Sequence, residues 1–164
     1  MKDKIKKYFK EGVIVVIMLI IAMNVVSYYN SLDLNKEKLN INTFVLLDNT
    51  IYTVPKDKPI LIHFWATWCP ICKLEAPNIE TISKDYEVIT IAVQSGSNEE
   101  IQNYLDEHNL TFNVVNDDAG LYFKKFNGKA FPTTFIYDKN RKLKFSEVGY
   151  TSTIGLYSRM LFSK

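Results

Sequence analysis

The sequence predicts an α/β domain with a mixed sheet, preceded by one membrane-spanning helix. Three features predict it: an uncharged apolar run over 12–29, a nearly continuous apolar strand over 60–65, and alternating strand-length and helix-length patterns from there onward. With 164 residues, 47% of them apolar, the chain can bury one core but is short for two, so one compact domain is expected.

The overall charge of +2 is unevenly spread. Residues 1–11 carry Lys2, Lys4, Lys6, Lys7 and Lys10 against Asp3 and Glu11, a local +3 that leaves −1 of the total for the rest of the chain. No later lysine or arginine cluster interleaves with aromatics, so no nucleic-acid partner is expected. From Gly12 to Tyr29 only Asn24 and Ser27 are clearly polar, and at ~1.5 Å per residue the run makes about 27 Å of helix against a hydrocarbon core of ~30 Å. The lysines keep 1–11 in the cytoplasm, Tyr28 and Tyr29 mark the far interface, and the domain faces outward. An uncleaved anchor is preferred to a cleaved signal peptide because Ser-Tyr-Tyr-Asn-Ser-Leu provides no small-x-small site. A buried core helix is the remaining alternative.

Residues 30–42 are polar and mixed in charge and read as a stalk, leaving 43–164 as the folded domain. Phe44 to Leu47 and Ile51 to Val54 form a hairpin across Asp48-Asn49-Thr50. Pro59 introduces Ile60 to Trp65, whose continuous apolar character suits a strand covered on both faces. Pro70 opens a helix with Ile71, Leu74, Ile79 and Ile82 as its apolar stripe and a kink at Pro77. Val88 to Val93 is a second strand. Asn98 caps a helix through Asn109, with Ile101, Tyr104 and Leu105 inward. A strand over Thr111 to Val115, a short helix over Ala119 to Phe126, strands over Thr133 to Tyr137 and Leu143 to Val148, and a closing helix over Thr153 to Phe162 complete the reading.

The two cysteines form Cys69-Pro70-Ile71-Cys72, between a buried strand and a helix. A single pair three residues apart closes too small a loop to be much of a structural staple. At a helix N-terminus, however, unpaired backbone N–H groups and the helix dipole favour a thiolate, which attacks disulfides. Cys69 holds that position; Cys72, one turn inward, is the resolving cysteine. Structural zinc needs four ligands, and His63 and His108 are distant in sequence. Haem attachment needs histidine after the second cysteine, where Lys73 stands. No cofactor or metal is therefore implied, and redox chemistry is the preferred reading.

Phe64-Trp65-Ala66-Thr67-Trp68-Cys69-Pro70-Ile71-Cys72-Lys73 resembles the thioredoxin active-site signature, and Phe131-Pro132-Thr133-Thr134 resembles that family's cis-proline loop. The resemblance covers about Thr43 to Phe162 and implies a thioredoxin fold, here with an inserted strand-helix unit between Val88 and Val115. It implies that Trp68, Pro70, Phe131 and Pro132 shape a substrate face binding a partner's extended chain, with Trp65 and Trp68 as packing residues that also wall the active-site surface and Gly149 allowing close backbone approach under the loop. Together with the anchor, the insertion resembles the membrane-tethered branch that includes the cytochrome c maturation thioredoxins. Val93 to Gly96, Val114 to Asp117 and Gly149 to Ser152 are similar to the suppressor of copper sensitivity D subgroup.

His63 stands where thioredoxins have a buried aspartate, either as a proton acceptor for Cys72 or as a core histidine satisfied by backbone. Glu75, three residues after Cys72, matches a glutamate that tunes the pair in the cytochrome c maturation branch; the alternative is a solvated charge. The expected activity is reduction of disulfides in exported proteins, with electrons from a membrane thiol reductase. A disulfide-donating oxidant is the runner-up, and a Cu(I)-binding module a distant third. A peroxidase is disfavoured because Ala66, and not threonine, precedes Cys69 by three.

Overall fold

The computed structural model describes residues 2–32 and 34–164 and, within the first helix, the side chains of 8–18, 21, 22, 25–27 and 29. Along the chain run α1 (Lys2–Leu32), β1 (Thr43–Val45), β2 (Ile51–Thr53), β3 (Ile60–Trp65), α2 (Pro70–Ser83), β4 (Glu87–Val93), α3 (Asn98–Glu107), β5 (Val114–Asp117), α4 (Leu121–Lys125), β6 (Thr133–Tyr137), β7 (Leu143–Val148) and α5 (Thr153–Leu161). Among the described residues no helix is long and apolar enough to cross a membrane, so the anchor expected over 12–29 rests on the sequence. The side chains of Lys2, Lys4, Lys6, Lys7, Asn24 and Tyr28, which that reading uses, lie outside the described residues.

Five strands form one mixed sheet in the order β5-β4-β3-β6-β7, while β1 and β2 form a separate hairpin. β3 pairs in parallel with β4 and antiparallel with β6, and all six of its residues are buried, as its unbroken apolar character requires. Its alternating side chains feed two cores. Leu61 and Trp65 join Ile79, Ile82, Ile101, Ile136 and Leu156 on the α2 and α5 side. Ile60, Ile62 and Phe64 join Phe44, Phe126, Phe135 and Val148 on the other. The order places the C-terminal ends of β3 and β4 and the start of β6 at one edge of the sheet, where the cysteine turn emerges.

Four expectations are corrected. The stretch read as a stalk lies against the domain from Leu34 on: Leu34, Leu39 and Ile41 are buried in the second core, and the Leu39 N–H donates to the Arg141 carbonyl. Ser97 caps α3, accepting from the Glu100 N–H while the Glu100 carboxylate accepts from the Ser97 N–H; Asn98 is the first helical residue. β5 begins at Val114 and not at Thr111, because the Thr111 N–H and hydroxyl both donate to Glu80. On α2 the inward face is Cys72, Glu75, Ala76, Ile79 and Ile82, whereas Ile71 and Leu74 are exposed, Leu74 at 67%.

Candidate active site

The cysteine turn is built by two helix-start devices. Pro70 occupies the first helical position, where its missing N–H is no loss. Cys69 is the N-cap, and its Sγ accepts the Cys72 N–H at 3.1 Å. The helix thus directs backbone donors at the first sulfur, and no acidic side chain in its first turn competes for them. The two cysteines are disulfide-bonded, with Cα atoms 5.2 Å apart. Both are nearly covered, Cys69 at 5% exposure and Cys72 at 2%.

Trp68 stands 60% exposed beside the pair. Its Nε1 donates to the Gln94 carbonyl at 3.0 Å, and its ring packs edge-on against Phe131, centroids 5.5 Å apart. The preceding turn is fixed by the Thr67 N–H donating to Ser95 Oγ. Trp68 therefore joins the cysteine turn to the Phe131–Pro132 loop, whose peptide bond is cis. Pro70 is exposed and Pro132 buried. Trp65, expected to wall the same surface, is instead 3% exposed and packs on Tyr104 and Phe112. Gly149 donates to the Pro132 carbonyl at 2.8 Å, but a Cβ there would meet nothing within 4 Å. Its φ of +100° is what requires glycine.

His63 is buried, with Nδ1 3.0 Å from Thr134 Oγ1, and burial alone pushes its pKa down to about 3. It is a neutral core histidine at ordinary pH. Glu75 differs. It is wholly buried; Oε1 accepts the Thr151 N–H at 3.0 Å, while Oε2 is buried with no hydrogen-bond partner. Burial first, and the nearby Glu147 carboxylate in addition, push its pKa up to about 8 despite the Thr151 hydrogen bond. One turn along α2 from Cys72 and on the same inward face, Glu75 is a carboxyl mostly protonated at neutral pH that ionises as pH approaches about 8.

Pairing register explains how these groups meet. His63 pairs with Thr90 on β4 and Thr134 on β6, and Thr134 pairs with Glu147 on β7. The four form a row across the sheet on the side covered by α2 and α5, and Glu75 comes down onto that side from above. The sequence reading did not include Thr90, Thr134, Glu147 or Thr151 as site residues; Thr134 and Thr151 carried a signal, within the Phe131 to Thr134 and Gly149 to Ser152 stretches. Among the described residues no group of three or more His, Cys, Asp or Glu side chains is placed to hold a metal ion.

A central parallel strand leading into a Cys-x-x-Cys turn at a helix N-terminus, with an antiparallel pair returning beside it, defines the thioredoxin-like class. The family model described as AhpC/TSA family matches residues 31–146, and the chain belongs to that family. A thioredoxin-like protein of Haemophilus influenzae is 29% identical over 164 residues, covering 98% of each chain. The thiol-disulfide oxidoreductase ResA of Bacillus subtilis is 25% identical over 155 residues, covering 87% of this chain and 85% of its own. The crystal structure of StoA from Bacillus subtilis shares the fold, with a TM-score of 0.64 at 21% identity, covering 71% of this chain and 93% of that one. The present chain is a thioredoxin-like protein-disulfide oxidoreductase.

Proposed function

We propose that this is a membrane-tethered oxidoreductase that reduces disulfides of exported proteins outside the cytoplasm through Cys69 and Cys72. The observation that carries the reading is Cys69 capping α2 with Cys72 directly beneath it. In the reduced chain the Cys69 thiolate attacks one sulfur of a partner disulfide, forming a mixed disulfide and releasing the partner's first thiolate. The ionised form of Glu75, which grows as pH approaches about 8, then takes the Cys72 proton, and the Cys72 thiolate attacks the Cys69 sulfur. The partner's second thiolate leaves, the partner has gained two electrons, and Cys69–Cys72 is oxidised. A carboxyl whose pKa lies near 8 exchanges protons in the range where thiols do; His63, near 3, does not. Trp68, Pro70, Phe131 and Pro132 form the face that receives the partner's extended chain. A membrane thiol reductase resets the pair.

The anchor over 12–29 is supported by its side chains: Val13, Ile14, Val15, Val16, Ile17, Met18, Ile21, Val25 and Val26 are all exposed. A helix apolar on every side needs an apolar surrounding, and the basic residues before it place 1–11 in the cytoplasm. The anchor and insertion also align with the membrane-tethered branch that the sequence resembles.

The direction of electron flow is tested by the reduction potential of the full chain in detergent, equilibrated in dithiothreitol or glutathione buffers and read by thiol alkylation. A value near the thioredoxin end, about −270 mV, supports the reductase; one near −120 mV makes it an oxidant.

A further inference from the structure

We propose that Glu147 and Arg159 act as a charge pair that, through Thr151, positions Glu75 and sets how tightly it holds its proton. The inference rests on the reading of Glu75 as acceptor of the Cys72 proton.

The connection is continuous. The Thr151 N–H donates to Glu75 Oε1 at 3.0 Å, and the Thr151 hydroxyl donates to Glu147 Oε2 at 2.9 Å. The other oxygen of Glu147 pairs with the Arg159 guanidinium, which is held at its second nitrogen by the Gly155 carbonyl at 2.8 Å. Thr151 is itself tied down: its carbonyl accepts from Asn78 Nδ2 at 3.0 Å, and Asn78 Oδ1 accepts the Thr153 hydroxyl. One residue thus presents its backbone to the buried carboxyl and its side chain to the charged pair, on a loop fixed to α2 from both sides.

The charges act with opposite signs on Glu75. Glu147 is a partly buried negative neighbour that favours the protonated acid, in addition to burial. Arg159, with 27% side-chain exposure against 21% for Glu147, offsets that charge from α5. Cys72 lies one turn away on the same inward face of α2, and the sheet beneath that helix carries the neutral His63 on β3 and the uncharged Thr134 on β6. The pair therefore supplies the charge on this side of the sheet that substitution can alter in either direction.

The test uses the full chain in detergent, labelled with ¹³C at glutamate carboxyls, the Glu75 resonance being assigned by its loss in Glu75→Gln. Glu147→Gln should lower the Glu75 titration midpoint and Arg159→Gln should raise it, each by roughly half a unit to one unit for a partly screened neighbour. Arg159→Lys, which keeps the charge, should restore the midpoint. Opposite shifts distinguish electrostatic positioning from loosened packing, which would move both variants the same way. Unchanged midpoints, or shifts of one sign, overturn the inference; if Glu147→Gln does not fold, the contrast of Arg159→Gln with Arg159→Lys decides. The underlying reading is judged separately, by whether Glu75→Gln slows resolution of the mixed disulfide: if it does not, Glu75 is no acceptor, whatever the midpoints do.

Discussion

His63 and Glu75 are both buried titratable groups, one on β3 and the other on α2, and burial drives both towards the neutral form. The outcomes diverge because the neutral forms differ. A neutral histidine is deprotonated, and with its pKa pushed down to about 3 it cannot pick up a proton at any working pH. A neutral glutamate is protonated, and at about 8 its equilibrium sits among the thiols. The partners point the same way: His63 has a hydroxyl at hydrogen-bonding distance, whereas Glu75 leaves one oxygen unpartnered. Burial, with the Glu147 charge added at Glu75, thus makes one group inert and the other responsive.

The contrast breaks most readily in kinetics. Glu75→Gln should slow resolution of the mixed disulfide on the order of a hundredfold near pH 7, while His63→Asn should change it little, as measured by acid-quenched flow. Equal effects of the two substitutions would erase the distinction.

The same pair should shape stability against pH. Glu75 holds its proton up to about 8 in the folded chain against an ordinary 4.5, so its contribution is intact below 4.5 and declines as pH rises to 8. His63 is neutral down to about 3 against an ordinary 6.5, so its contribution is intact above 6.5 and declines as pH falls. The two slopes cancel between 4.5 and 6.5, leaving a plateau with a loss on each side, on the order of a few kcal/mol. Thermal unfolding of the oxidised chain should lose the alkaline limb in Glu75→Gln and the acid limb in His63→Asn.

The tryptophans extend the comparison to the surface. Trp65→Ala should cost about 3–5 kcal/mol of stability by emptying a core site. Trp68→Ala, at an exposed ring, should cost far less yet weaken reduction of a protein disulfide. Denaturant unfolding beside turnover separates the two.

Much of the fold was legible because its strands are written in apolar residues: β3, β6 and β7 have the predicted bounds. The cysteine turn was legible from spacing and Pro70. The face of α2 was misread because the inward stripe includes Glu75 and two small residues, Cys72 and Ala76, while Ile71 and Leu74 face out; hydrophobicity alone therefore gave the wrong phase. Leu34, Leu39 and Ile41 follow no helix or strand period and so passed for a stalk. The link from Glu75 through Thr151 to Glu147 and Arg159 joins residues up to 84 positions apart in number, and only the pairing of β6 with β7 and the return of α5 bring them together.

The most direct test of the two-cysteine exchange is trapping. The full chain with Cys72→Ser, reduced and mixed with a disulfide-containing protein, should accumulate one mixed disulfide through Cys69, seen by non-reducing mass spectrometry; Cys69→Ser should accumulate none. An adduct carried by Cys72, or none in either variant, would contradict the account.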